Sequence, residues 1–266
     1  ETGNIRNVVV MGHGGCGKTT LVEAIAYQTG ITARMGKVTD GNTISDYDKE
    51  EQKRQFSIST SVVPVEFEDI KINFLDTPGY FDFVGEVEEA CHAAGAAVIV
   101  INGKSGVEVG TLKAWELCEK YKLPRLFFVT GMDDDQASYR KIVLELNDRF
   151  GRKVAPFHVP IRENEKFVGF VNVVKMKGRR FINDTSEYEE CDIPDYMDKH
   201  LNISRDALVE AVADTSEELM ERYFAGEEFT YEEVSTALRT HVMDCQIVPV
   251  LVGSGVHNQG TSMLMN

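Results

Sequence analysis

Gly12-His13-Gly14-Gly15-Cys16-Gly17-Lys18-Thr19 fits the pattern G-x-x-x-x-G-K-[ST], with Thr20 next in line. Glycines at this spacing let successive backbone N–H groups curl around a phosphate. The start of a following helix adds partial positive charge. Lys18 supplies an ammonium for the β- and γ-phosphates, and Thr19 a hydroxyl for Mg²⁺. A chance Gly-rich turn is the bland alternative, and it lacks the flanking strand and helix that this sequence has. Cys16, inside the loop, is either a small packed residue or a thiol whose pKa the loop lowers.

Three further groups take meaning from that loop. Asp76-Thr77-Pro78-Gly79 ends an apolar run. Asp76 can hold Mg²⁺ through its water shell, and Gly79 can bring a backbone N–H to a γ-phosphate and swing away. Ser57, in a polar stretch before the second strand, can complete a Mg²⁺ sphere, although alone it is one serine among several. Thr130-Gly131-Met132-Asp133 follows another apolar run. A carboxylate there accepts the N1–H and N2–H₂ pair of guanine, which adenine cannot offer; Asp133 could equally cap a helix. Gly253-Ser254-Gly255 follows the last apolar run, where backbone N–H groups could meet guanine O6.

Short apolar runs alternating with helical periodicity must position these groups. Asn7–Met11, Val62–Phe67, Ile70–Leu75, Ala97–Ile101, Arg125–Val129 and Ile247–Val252 read as strands, and Lys18–Gln28, Phe83–Ala94, Val109–Tyr121 and Gln136–Phe150 as helices. Pro124 ends the third helix. Residues 31–60 lack periodicity and read as a long mobile loop. Continuous apolar strands between amphipathic helices predict an α/β fold, a mostly parallel sheet covered on both faces. Residues 158–246 break the rhythm. There Phe167–Met176 reads as a strand or two, Asn183–Pro194 as an acidic loop, and Arg205–Phe224 and Tyr231–Met243 as helices. Together they form a small inserted α+β subdomain. The nucleotide-binding domain is accordingly 1–157 with 247–266. Trp115 is expected in the core and Arg179-Arg180 in a solvated turn.

At 266 residues, with 42% apolar and 27% charged residues, the chain can bury a sizeable core, and disordered and fibrous classes are excluded. No apolar run reaches membrane-spanning length. Five scattered cysteines without Cys-x-x-Cys argue against a disulfide framework or zinc site, and the absence of a signal pattern points to the cytoplasm. The chain does not start with Met, which suggests a trimmed or tagged product. The net charge of −15 is concentrated between Asp184 and Glu233, where 17 acids meet 3 bases. That argues against direct nucleic-acid binding by this segment of protein. The acidic stretch reads as a solvated helical face, or else as a docking surface for a basic protein patch.

The order phosphate loop, D-T-P-G, x-x-M-D and G-S-x identifies a translational GTPase. Arg34-Met35-Gly36, Asp40-Gly41, Val168-Gly169, Val174-Lys175-Met176, Glu217–Phe224 and Val250–Ser254 make the whole chain resemble the N-terminal part of bacterial elongation factor G. The resemblance implies a P-loop NTPase fold and a G-prime-like insert at 158–246. It further implies binding of GTP and GDP with Mg²⁺, hydrolysis, and a ribosome-driven switch, with the ribosomal stalk protein meeting the acidic insert. Family members continue through four more domains, so the chain reads as a fragment. Four positions depart from the family. Arg54-Gln55-Phe56-Ser57 replaces R-G-I-T. Tyr80 stands where a His positions the attacking water, and a phenol cannot become cationic as His does. Thr130-Gly131 replaces Asn-Lys, removing a brace and a stacking stem. Gly15 replaces a carboxylate at a monovalent-cation site. These departures suggest a diverged paralogue.

By this reading Lys18, Gly79 and Tyr80 serve hydrolysis. Gly12 to Thr20, Asp76, Gly79, Thr130, Asp133, Ser254 and Gly255 hold nucleotide. Thr19, Ser57 and Asp76 hold the metal. Two other readings stay open: a nucleotide-binding interaction module with little hydrolysis, motivated by Tyr80, and a P-loop kinase, which D-T-P-G with a guanine motif disfavours.

Overall fold

The computed structural model describes residues 2–182 and 185–266. Strands β1 (Ile5–Met11), β2 (Ser61–Phe67), β3 (Ile70–Asp76), β4 (Ala96–Asn102), β5 (Arg125–Thr130) and β6 (Val154–Pro156) fall in the main sheet. Strands β7 (His158–Glu163), β8 (Lys166–Asn172), β9 (Lys177–Phe181) and β10 (Tyr188–Cys191) form a second sheet, and β11 (Val248–Val252) returns to the first. The helices are α1 (Lys18–Gln28), α2 (Lys49–Arg54), α3 (Val84–Ala93), α4 (Val109–Tyr121), α5 (Tyr139–Phe150), α6 (Asp198–Ala213), α7 (Glu217–Phe224), α8 (Tyr231–Met243) and α9 (Thr261–Met265).

The main sheet has seven strands in the order β2-β3-β1-β4-β5-β11-β6, all parallel except β2. Alternate residues of its strands point to opposite faces. On one face Val10, Val98, Val100 and Phe128 pack against Leu21, Val22 and Ile25 of α1. On the other, Met11, Ile99, Ile101 and Phe127 meet α3, α4 and α5. Trp115 is in this core, stacked on Phe127 and Phe150. From β1 the chain passes through β2 and β3 on one side, then crosses to β4 on the other. That reversal leaves a crevice at the carboxyl ends of the parallel strands.

The insert differs from the sequence-based expectation in detail. Its antiparallel sheet has four strands, β10-β9-β8-β7, where one or two were expected. Asn183–Pro194 is not all loop: Tyr188–Cys191 pairs with β9, while residues 183 and 184 lie outside the described residues. The helix expected over Arg205–Phe224 is two, because the Ser216 hydroxyl accepts from Leu219 N–H and starts α7 afresh. Arg179 and Arg180 stand in β9, not in a turn. Arg179 is buried over the Tyr188 ring, and Arg180 pairs with Glu163. Charged residues on a buried strand hide its alternation.

His158, at the start of β7, is buried against Phe170, and its Nδ1 has no partner among the described residues. Burial, and then the Arg179 charge, push its pKa down to about 3. The unfolded chain therefore takes up a proton below about pH 6.5 that the native fold refuses. Stability present above that pH is lost as pH falls toward 3, by up to about 1.4 kcal/mol per pH unit. His158→Phe is expected to flatten the decline of the urea midpoint between about pH 6.5 and 4.5; parallel slopes for both proteins would refute the assignment.

Candidate functional site

The glycine loop, Asp76, Gly79, Thr130, Asp133 and Ser254 sit at the carboxyl edge of the main sheet. Gly12 leaves β1 at φ 149°, and a Cβ there would lie 2.5 Å from the Val100 carbonyl of β4. Only glycine lets the loop turn so close to the neighbouring strand. The loop then opens onto the first turn of α1. Lys18 is buried beneath it, its Nζ donating to the carbonyls of Gly12 at 3.2 Å and His13 at 2.9 Å. A cavity of about 180 Å³ lies above, lined by Gly14, Gly17, Lys18, Thr19, Ser57 and Tyr80 among others. The His13 imidazole faces away: its Nδ1 accepts from Gly110 N–H at 3.1 Å and its Nε2 lies 3.6 Å from Glu108. His13 serves the loop through its carbonyl. Cys16 is buried and its thiol pKa is raised, chiefly by burial. This overturns the reading of a thiol activated by the loop.

Thr19 stands between Ser57 and Asp76. Thr19 Oγ1 and Ser57 Oγ are 3.2 Å apart. Asp76, at the end of β3, is fully buried, and both its carboxylate oxygens lack a hydrogen-bond partner among the described residues. Burial pushes its pKa up to about 6. The nearby Ser45 and Thr19 hydroxyls and the Lys18 charge pull the other way, though neither hydroxyl completes a bond of normal geometry. An oxygen-only set with an orphaned buried carboxylate has the donor chemistry of a hard divalent cation.

Asp46 belongs to this group and has no local sequence signal. It is buried and accepts from the Ser57 hydroxyl at 2.6 Å. The stretch 31–60 is held rather than featureless. Glu23 of α1, buried, accepts the N–H groups of Gly36 and Ile44, each at 2.7 Å. Glu51 of α2, also buried, accepts from Ile58 and Ser59. A carboxylate amid the apolar residues of α1 was the readable signal, since a buried charge demands donors. Asp48 and Glu51 likewise form a capping box, the signature of α2.

Gly79 passes directly over the phosphate loop, close to Gly14 and Lys18. Tyr80 follows, half exposed. Its ring lies about 3.2 Å from where a Gly14 side chain would begin, and 4.6 Å from the Phe56 ring centre.

The base end of the crevice is built from the loops after β5 and β11. Ser254 Oγ donates to Asp133 at 2.5 Å, and His257 Nε2 lies 3.6 Å from the other oxygen. Met132 N–H donates to Gly253 O. Thr130 Oγ1 accepts Gly255 N–H at 3.1 Å, and its methyl lies beside Gly17. A hydroxyl at residue 130 therefore braces these loops, where loss of the family's Asn suggested no brace. Thr20 packs beside Gly255 at the same junction.

A glycine-rich loop between β1 and α1, acids at the end of β3 and after β5, and a mostly parallel sheet reversing at β1 define a P-loop nucleotide-binding domain. Residues 3–266 match the family described as the elongation factor Tu GTP binding domain. The chain belongs to that family and is a translational GTPase domain of the elongation factor G type. Among solved structures it is similar to the crystal structure of ttk003000868 from Thermus thermophilus, at 36% identity and a TM-score of 0.89. That match covers 98% of this chain and 39% of the other. Among the described residues no helix is long and apolar enough to cross a membrane.

Proposed function

We propose that this domain binds GTP and GDP and hydrolyses GTP to switch an elongation factor G-like translation factor on the ribosome. Residues 1–157 with 247–266 form its nucleotide-binding domain and 158–246 its inserted subdomain. The observation carrying this reading is a buried Lys18 under the glycine loop together with a carboxylate, Asp133, fixed by Ser254 in loops that pack beside that loop through Thr130 and Thr20. Backbone N–H groups from Gly14 to Thr20 and at Gly79 would hold the phosphates in line for attack by water. Thr19, Ser57 and Asp76 would hold Mg²⁺, which when bound neutralises charge on the phosphates. The cytoplasm, where ribosomes and guanosine nucleotides meet, is the matching location. The acidic insert would offer its surface to a ribosomal protein such as the stalk.

Calorimetric titration with GTP, GDP and ATP, with and without Mg²⁺, tests binding. Guanosine nucleotides are expected to bind about 10–100-fold tighter than ATP, the worth of hydrogen bonds to one charged acceptor. Equal affinity for ATP would refute the base assignment. Tyr80 favours a second reading, little hydrolysis, because its ring rests over Gly14 and against Phe56 and its phenol cannot take a positive charge. Tyr80→His is expected to raise ribosome-stimulated phosphate release by about tenfold or more, within the range of one positioned proton-transfer group. No rise would remove residue 80 from the account of turnover.

A further inference from the structure

Arg162 stands in β7, inside the insert, yet its guanidinium reaches the loop after β5. It donates to the carbonyl of Met132 and, at 2.6 Å, to that of Asp134. These carbonyls lie on either side of Asp133. The backbone is shaped to deliver this contact. Pairing between β7 and β8 shifts register between Ile161 and Arg162, and such an irregularity re-aims the side chain that follows. The Tyr196 hydroxyl donates to the Arg162 carbonyl at 2.9 Å and pins the strand there. Within the main domain the loop is also held by Met132 N–H, which donates to Gly253 O, and by Ala137 N–H, which donates to the same Asp134 carbonyl. Gly131, at φ 70°, brings no side chain, and Asp134 N–H returns only to Gly131 O.

We propose that Arg162 is the positioning residue for the base-reading carboxylate. It would orient the peptides on both sides of Asp133 so that both oxygens meet the edge of guanine. The proposal rests on guanosine-nucleotide binding and names what sets its selectivity. Both carbonyls are met by one terminal nitrogen, Nη2, which the planar guanidinium holds in a fixed direction as a freely rotating ammonium does not. Ser254 fixes the carboxylate itself from the opposite loop. Asp133 is thus held by its side chain from one direction and through its backbone from another. One of those holds belongs to the insert.

A purely structural tie between the insert and the main sheet would lower stability without changing which base is preferred. The experiment therefore compares GDP with inosine diphosphate, which lacks only the 2-amino group, alongside thermal melting. Wild-type protein is expected to prefer GDP by about tenfold or more. In Arg162→Met that preference is expected to fall to about threefold or less, with GDP affinity reduced by about tenfold. Equal losses for the two nucleotides, leaving their ratio unchanged, would overturn the proposal. Should Arg162→Met fail to fold, Arg162→Lys decides: a preference between wild type and threefold supports it, and a wild-type preference overturns it. Failure of wild-type protein to bind GDP at all would instead overturn the proposed function.

Discussion

Lys18→Ala is expected to weaken GTP and GDP binding by about 100-fold or more, the largest effect of any single side chain here. Its ammonium is buried beneath the phosphate loop, with two protons already committed to the carbonyls of Gly12 and His13. The third is free for a phosphate oxygen. A hydrogen bond to a charged group contributes about 1.5–3 kcal/mol, and the loss of a nearby full charge in a partly closed crevice adds to it. Truncation also leaves the two carbonyls without their donor and removes the cation nearest to the buried Asp76. Lys18→Arg is not expected to restore binding, because a rigid fork does not fit where a compact ammonium lies between two carbonyls. Calorimetry on protein shown to be folded by circular dichroism checks both variants. Affinity within about threefold of wild type for Lys18→Ala would remove Lys18 from the phosphate site.

Why the sequence revealed this end of the site and not all of it follows from how each part is built. The phosphate loop is contiguous. The function proposed for it needs only backbone and one lysine, so spacing alone defines it. The same holds for β1, β4 and β5, whose burial on both faces leaves uninterrupted apolar runs. The group proposed for the metal is half legible. Asp76 is announced by its strand end, but Asp46 lies in a polar stretch with nothing local to mark it, and only folding brings it to 2.6 Å from Ser57. The base-facing loops show a third regime. Asp133 and Ser254 lie far apart in sequence and meet because β5 and β11 are neighbours in the sheet.

The insert was least legible because its strands do not alternate cleanly. Lys177-Gly178-Arg179-Arg180-Phe181 looks solvated, yet Arg179 is buried against Tyr188 and Met263. A guanidinium covering a ring is compatible with a core and invisible to a hydropathy count. Arg162 escaped notice for a related reason. It reads as one more charge beside a turn, and its worth depends on a register shift that only strand pairing creates. Arg162 therefore acts through backbone carbonyls of a distant segment, where residue type alone says nothing.

Gly79→Ala is expected to separate GTP from GDP, lowering affinity for the triphosphate by about 10–100-fold while changing the diphosphate little. The reason is space rather than backbone conformation, since Gly79 is not among the residues with positive φ. A Cβ at residue 79 would lie 2.7 Å from Gly14 Cα and 2.8 Å from Gly14 N, and would also strike Lys18 Nζ. The lysine tip can move, but Gly14 is main chain of the phosphate loop and packs under the Tyr80 ring. Relief must come from lifting residues 79 and 80 away from the loop. That would withdraw the residue-79 N–H proposed to meet the γ-phosphate, a bond to a charged acceptor worth about 1.5–3 kcal/mol. A diphosphate does not reach it and is indifferent to the change. Because a ligand shifts a switch only by its differential affinity for the two states, the variant should also lose the nucleotide-dependent change in its loops. Fluorescent GDP and non-hydrolysable GTP analogues titrated against both proteins give the ratio directly. Equal weakening of both nucleotides would mean that residue 79 merely props up the phosphate loop and does not sense the third phosphate.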